Sequence, residues 1–118
     1  MNVMEYIVAE QKRQEMTNAE FAERLPFSRQ RYEEILKQAD CRFLIVRTML
    51  KALGKDIEVR NADGSMPDFD TRKFVDGLDG VNTSYAKVKA IVESAGQAFF
   101  IIEGGASDGA PLNEERRI

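Results

Sequence analysis

Three observations predict an α+β fold that is mostly helical. Apolar residues recur at helical spacing through most of the first half and again between 71 and 94. Twice a helical pattern stops at a glycine, Gly54 and Gly96, and a run with strand character follows directly. Residues suited to helix caps (Thr17, Ser28, Asp40, Asp70) stand just ahead of the periodic segments. The two short strands, about 55–60 and 97–102, are expected to pair within the chain or across a dimer. An isolated apolar strand edge is an aggregation hazard.

Residues 2–14 read as a first helix, with Val3, Met4, Ile7 and Val8 on one side and Glu5, Lys12 and Arg13 off it. Thr17 to Lys37 reads as two short helices joined by a tight turn. Thr17 caps the first, and Glu20 completes a capping box, with Met16 and Phe21 at staple positions. Ser28 caps the second, and Phe27 and Tyr32 repeat the staple spacing. Phe21, Ala22, Leu25, Phe27, Tyr32, Ile35 and Leu36 are expected to meet between the helices. Arg29, Gln30, Arg31, Glu33, Glu34 and Lys37 are left facing outward or sideways.

Asp40 is placed to cap a helix from about Cys41 to Leu53, with Phe43, Leu44, Val46, Leu50 and Leu53 inward and Ile45 and Met49 widening that side. Asp56 to Arg60 alternates polar and apolar, as a half-buried strand does, and Asn61 to Gly64 closes it with turn chemistry. A linker with Pro67 follows. Asp70 caps a helix over about 71–78, and Asn82 or Thr83 caps one ending near Ser94, whose apolar face is Tyr85, Val88, Ile91, Val92 and Ala95. Ala98 to Ile102 reads as a strand buried on both faces or covered by a partner. From Gly104 the composition is that of a flexible tail. The expected organisation is a helix-turn-helix unit with a terminal strand (1–64), a second helical unit with a strand (65–103), and a tail (104–118). A weak internal repeat accompanies it. Phe21 to Leu25 parallels Phe74 to Leu78 at an offset of 53, which carries Tyr32 onto Tyr85 and Ile35 onto Val88, whereas helix–Gly54–strand matches helix–Gly96–strand at 42.

A chain of 118 residues is one domain or two very small ones. It has no histidine, which removes Ser-His-Asp and Cys-His catalysis and histidine-based metal sites. Cys41 is alone, so no disulfide within the chain or zinc ribbon is expected. No phosphate-loop pattern occurs. The expectation is therefore no catalytic residue, no metal, no cofactor and no enzyme. No apolar run approaches the ~20 residues of a membrane span. The N-terminus carries acids and lacks a small-residue cleavage site, so a cytoplasmic, membrane-free setting is expected. Net charge is −3, but residues 1–60 hold 11 basic and 10 acidic side chains against 6 and 10 in residues 61–118. The half carrying the hairpin is thus near neutral, which argues against a strong nonspecific grip on nucleic acid by a single module.

The Thr17–Lys37 hairpin resembles the helix-turn-helix of the phage Cro/CI-like family, also called xenobiotic-response-element-like regulators, over about residues 1–60. Ala22 matches the small residue that packs against the second helix, Phe27 the apolar residue after the turn, and Tyr32 and Ile35 the two anchors of the recognition helix. Pro26 departs from the pattern. The family usually has Gly there because the turn wants positive φ, so the turn is built differently or DNA docking has been lost while the hairpin survived.

The resemblance implies a sequence-specific DNA-binding transcriptional regulator, a phage or mobile-element repressor or an antitoxin, acting as a homodimer on double-stranded DNA. Two recognition helices would enter successive major grooves roughly 34 Å apart on a palindrome. It places Arg29 and Gln30 at base edges behind the Ser28 cap, where Arg suits guanine and Gln suits adenine. Glu34 would face bases one turn later, Asn18 would touch phosphate, and Arg31 and Lys37 are further phosphate contacts. The strand after Gly54 would serve dimerisation, and a toxin is the kind of partner protein an antitoxin-type member would hold. The alternative reading is a protein-interaction module, an inhibitor or adaptor, that keeps the hairpin without binding DNA. The acidic balance, Pro26 and the acidic second half favour it.

Overall fold

The computed structural model describes residues 2–38, 40–104 and 116–117. Elements follow in the order α1 (Val3–Arg13), α2 (Asn18–Ala22), α3 (Arg29–Leu36), α4 (Phe43–Ala52), β1 (Lys55–Asn61), α5 (Thr71–Leu78), α6 (Tyr85–Ser94), β2 (Gln97–Glu103) and β3 (Arg116–Arg117). No described helix is long and apolar enough to cross a membrane. The fold is the expected α+β arrangement.

β1 and β2 pair within the chain, antiparallel, from Lys55 opposite Glu103 to Asn61 opposite Gln97. β3 pairs with the second edge of β2, Arg117 opposite Phe100 and Arg116 opposite Ile101. The rest of the tail expected after Gly104 lies outside the described residues. α4 packs on β1 and α6 on β2. One cluster holds Phe43, Val46, Leu50, Ile57, Val59, Val88, Val92, Phe99 and Ile101, and it continues into Ile7, Phe21, Tyr32 and Ile35 of the first three helices and Val75 of α5. The hydrophobic core therefore runs through both halves.

Several helix faces differ from their sequence expectation, each for a packing reason. α1 buries Val3, Tyr6, Ile7, Glu10 and Gln11. Met4 and Val8 are only half-buried, because the inward stripe carries two polar side chains that have partners below. α4 starts at Phe43 behind Arg42 and has no side-chain cap bond. Asp40 reaches across to the other helix pair, its Oδ1 accepting from the Ala86 N–H of α6 (3.0 Å) as well as from Cys41 (2.9 Å). Ser84 caps α6, in place of Asn82 or Thr83. Leu44 is exposed while Arg47 is buried, and Ile91 of α6 stands 61% exposed. β2 buries Phe99 and Ile101 on one face and Ala98 on the other, where Phe100 and Ile102 are half-buried. Glu15 occupies φ 60 just past α1. There Met16 N–H bonds Gln11 O and Glu15 N–H bonds Lys12 O, the Schellman pattern that usually carries glycine.

The internal repeat is stronger in the structure than in the sequence, and it runs at one offset. The elements α3–α4–β1 and α5–α6–β2 have equal lengths and start 42 positions apart throughout. Phe74 is thus the counterpart of Tyr32, and the 53-residue alignment of Phe21 with Phe74 has no structural basis.

Arg47 ties α5 to the first unit. Its guanidinium, 3% exposed, meets Asp56 of β1 (2.9 Å), Asp76 of α5 (2.8 Å) and Asp79 just after α5 (2.8 Å). Three carboxylates around one buried cation make each of its donors matter, since a buried charge without partners is costly. Arg47→Met is expected to destabilise the protein by roughly 3 kcal/mol, because the carboxylates lose their common partner. Urea unfolding followed by circular dichroism measures it, and a loss below about 1 kcal/mol would mean that α5 is held mainly by Val75.

Candidate nucleic-acid interface

The hairpin is built as its residues dictate. Thr17 Oγ1 accepts from Glu20 N–H (3.1 Å) and Glu20 Oε1 from Thr17 N–H (3.0 Å), a complete capping box at the start of α2. Ser28 Oγ accepts from Arg31 N–H (3.2 Å) at the start of α3. Phe27, half-buried, packs against the core ahead of that cap. Between the helices the chain turns without any residue at positive φ, since among the described residues only Glu15, Gly54, Gly64 and Gly96 adopt it. Bonds from Arg24 N–H to Phe21 O (2.9 Å) and from Leu25 N–H to Ala22 O (3.0 Å) tighten the end of α2. Pro26 then continues the turn at the fixed negative φ of its ring. The turn is thus built differently from the glycine turn that the resemblance implies.

α3 has a buried side and an open side. Tyr32 and Ile35 are fully buried, and Tyr32 meets Phe21 edge-on with ring centroids 5.1 Å apart. Arg29, Gln30, Arg31, Glu34 and Lys37 are all exposed, and neither the second unit nor the sheet covers them. Arg29 lies 3.8 Å from Glu33 and Arg31 3.6 Å from Glu34. Such exposed pairs contribute about 0–1 kcal/mol, so either arginine can leave its glutamate for a phosphate or base edge at small cost.

Beneath α3 lies a polar network that sequence reasoning missed. Tyr32 donates its hydroxyl proton to Gln11 Oε1, deep between α1 and α3. Gln11 Nε2 donates to Asn18 Oδ1 (2.8 Å) and to Met16 O (3.1 Å). Asn18 Nδ2 donates to Glu33 Oε2 (3.0 Å). Three helices are thereby fixed to one another by directed bonds. Asn18, expected at a phosphate, has both ends of its amide engaged inside the hairpin and acts there as a positioning residue for α3. The available signal was Gln11 itself, a polar side chain one turn past Ile7 on the inward stripe of α1. Burial pushes the Tyr32 phenol up to about 12, so it stays a donor throughout the working range.

α1 is held to the start of the sheet by a second group. Gln14 Nε2 donates to Leu53 O (2.8 Å), and Glu10 faces Arg13, Gln14 and Lys55. The bond from Arg13 holds the Glu10 carboxyl below its ordinary value of 4.5, against burial, which pushes it up; Gln14 and Lys55 add to the lowering.

No protein-family model, no curated protein and no solved structure matches this chain.

Two outcomes follow from the network. Gln11→Leu leaves the Tyr32 hydroxyl and the Asn18 amide oxygen without their partner and is expected to cost about 2 kcal/mol. Adding Tyr32→Phe should recover part of that loss, because one orphaned group is removed as well, and a double-mutant cycle in urea measures the coupling. The Glu10 carboxyl, lowered in the folded state, contributes stability that is fully present above 4.5 and is lost as pH falls through its folded value. The stability gap between wild type and Glu10→Gln should therefore close as pH drops below that range, and parallel denaturation curves at pH 7 and pH 3 test it.

Proposed function

We propose that the chain is a sequence-specific DNA-binding transcriptional regulator of the repressor or antitoxin kind, which lays α3 in the major groove of double-stranded DNA. The observation that carries this reading is the division of α3. Its inner side is locked by Tyr32, Ile35 and the Gln11–Asn18 network, while Arg29, Gln30, Arg31, Glu34 and Lys37 all lie open on the outer side. A rigid helix with base-reading side chains just behind its cap is what major-groove recognition requires. Arg29 and Gln30 take the base edges, Glu34 a cytosine amino group, and Arg31 and Lys37 the phosphates. Ser28 fixes the first turn from which these side chains project. The strand pairing expected for a homodimer is satisfied inside one copy, where β1 pairs with β2.

A second reading draws support from one observation. Met66, Phe69 and Phe74 are exposed, and the two rings touch at 5.6 Å, so the second unit offers apolar surface that suits a protein-interaction module.

Selection of duplexes from a random library, followed by fluorescence polarisation, separates the two. Arg29→Ala should weaken the selected site by ~1–3 kcal/mol and relax one base position. Lys37→Ala should weaken all sequences alike and lower the salt slope by about 1. Absence of any bound duplex at low salt would leave the interaction module as the reading.

A further inference from the structure

The repeat has a symmetry axis. Ser28 and Asp70 cap α3 and α5 by the same bond, to the N–H three residues on. Gly54 and Gly96 end the second helix of each unit at φ 79 and 81. Phe27 and Phe69, Tyr32 and Phe74, Phe43 and Tyr85, and Val46 and Val88 hold equivalent places at the same offset. The contacts between the units interchange when the units do. Arg42 bridges Ser84, its own counterpart. Phe43 N–H bonds Thr83 O (3.2 Å), and Tyr85 N–H bonds Cys41 O (2.7 Å), each the image of the other. The rings of Phe43 and Tyr85 stack at 6.3 Å with an 11° tilt. At the middle of the strand pair Glu58 faces Phe100, again its counterpart. A self-complementary contact of this kind is what two copies of one chain make about a two-fold axis.

The units differ where the first carries α1 and α2. Between β1 and α5 stand only residues 62–70, with no helix. Tyr32 is fully buried, but its counterpart Phe74 is 39% exposed. Met49 is fully buried, but its counterpart Ile91 stands open. α3 packs against α2, whereas α5 is drawn onto β1 and held to Arg47 through Asp76 and Asp79. The position that exposes Arg29 in α3 holds Thr71 in α5, which is buried.

We propose that this chain is a pseudo-dimer in one polypeptide, with a single reading helix, and that one copy binds one asymmetric half-site rather than two copies binding a palindrome. The inference rests on the DNA reading of α3 above. The isologous contact is satisfied internally, so a second chain is not needed to complete it. The second unit serves as the partner platform, and α5 does not read DNA.

Library selection with the full chain, light scattering of the complex and polarisation with variants test this together. An asymmetric motif, a one-to-one complex, a loss of about fivefold or more for Arg29→Ala, and a change within twofold for the Arg72→Ala, Lys73→Ala double variant are expected. A palindromic motif bound by two copies would overturn it and leave the DNA reading standing. So would a one-to-one complex that the α5 double variant weakens as much as Arg29→Ala does. Failure to bind any duplex would overturn both.

Discussion

The bond from the buried Tyr32 hydroxyl to Gln11 is the constraint on which the outer face of α3 depends. It joins the helix that would meet a ligand to the first helix of the chain. Through Gln11 it passes to Asn18 at the head of α2, and through Asn18 to Glu33 on α3 itself. Apolar contact between Phe21, Tyr32 and Ile35 would bring the helices together without fixing their rotation. Hydrogen bonds are directional, and buried donors must be satisfied, so the network admits one relative placement of α1, α2 and α3. The exposed side chains of α3 inherit their direction from it.

A second constraint works at the other end. Arg47 gathers carboxylates from β1, from α5 and from the turn after α5. It holds α5 against the first unit and away from the position that symmetry with α3 would give it. The two cooperative groups explain why halves of similar sequence pattern end with different packing. The first keeps a free helix face over a rigid base. In the second the place of Arg29 is taken by the buried Thr71, and its apolar residues Phe69, Phe74 and Ile91 stay at the surface because no helix is present to cover them.

Much of the framework was legible in the residues. The Thr17–Glu20 box, the Ser28 and Asp70 caps and the helix-ending glycines act within a few residues, so local chemistry settles them. The outward placement of Arg29 to Lys37 was likewise readable, since helical spacing alone assigns Tyr32 and Ile35 to the inside. The cap of α6 was misplaced by one or two residues for a local reason; the other errors share a cause, which is that the partner came from far along the chain. Asp40 looked like the cap of its own helix but serves α6, 46 residues on. Gln11 was passed over because its partners Asn18 and Tyr32 are brought to it only by folding. Arg47 carried no local signal, because the three aspartates that make its burial tolerable are gathered only by folding.

By itself the sequence determined the six helices and the two long strands, most of their ends and which side of α3 is polar, because periodicity and capping are properties of short stretches. Tertiary structure alone decided that β1 and β2 meet in one chain, that Phe43 and Tyr85 face each other across an axis, and that α5 packs on β1 and is tied to Arg47 while α3 packs on α2. Those outcomes rest on contacts between residues tens of positions apart, and no local pattern encodes which distant partner completes a buried charge or a hydrogen bond.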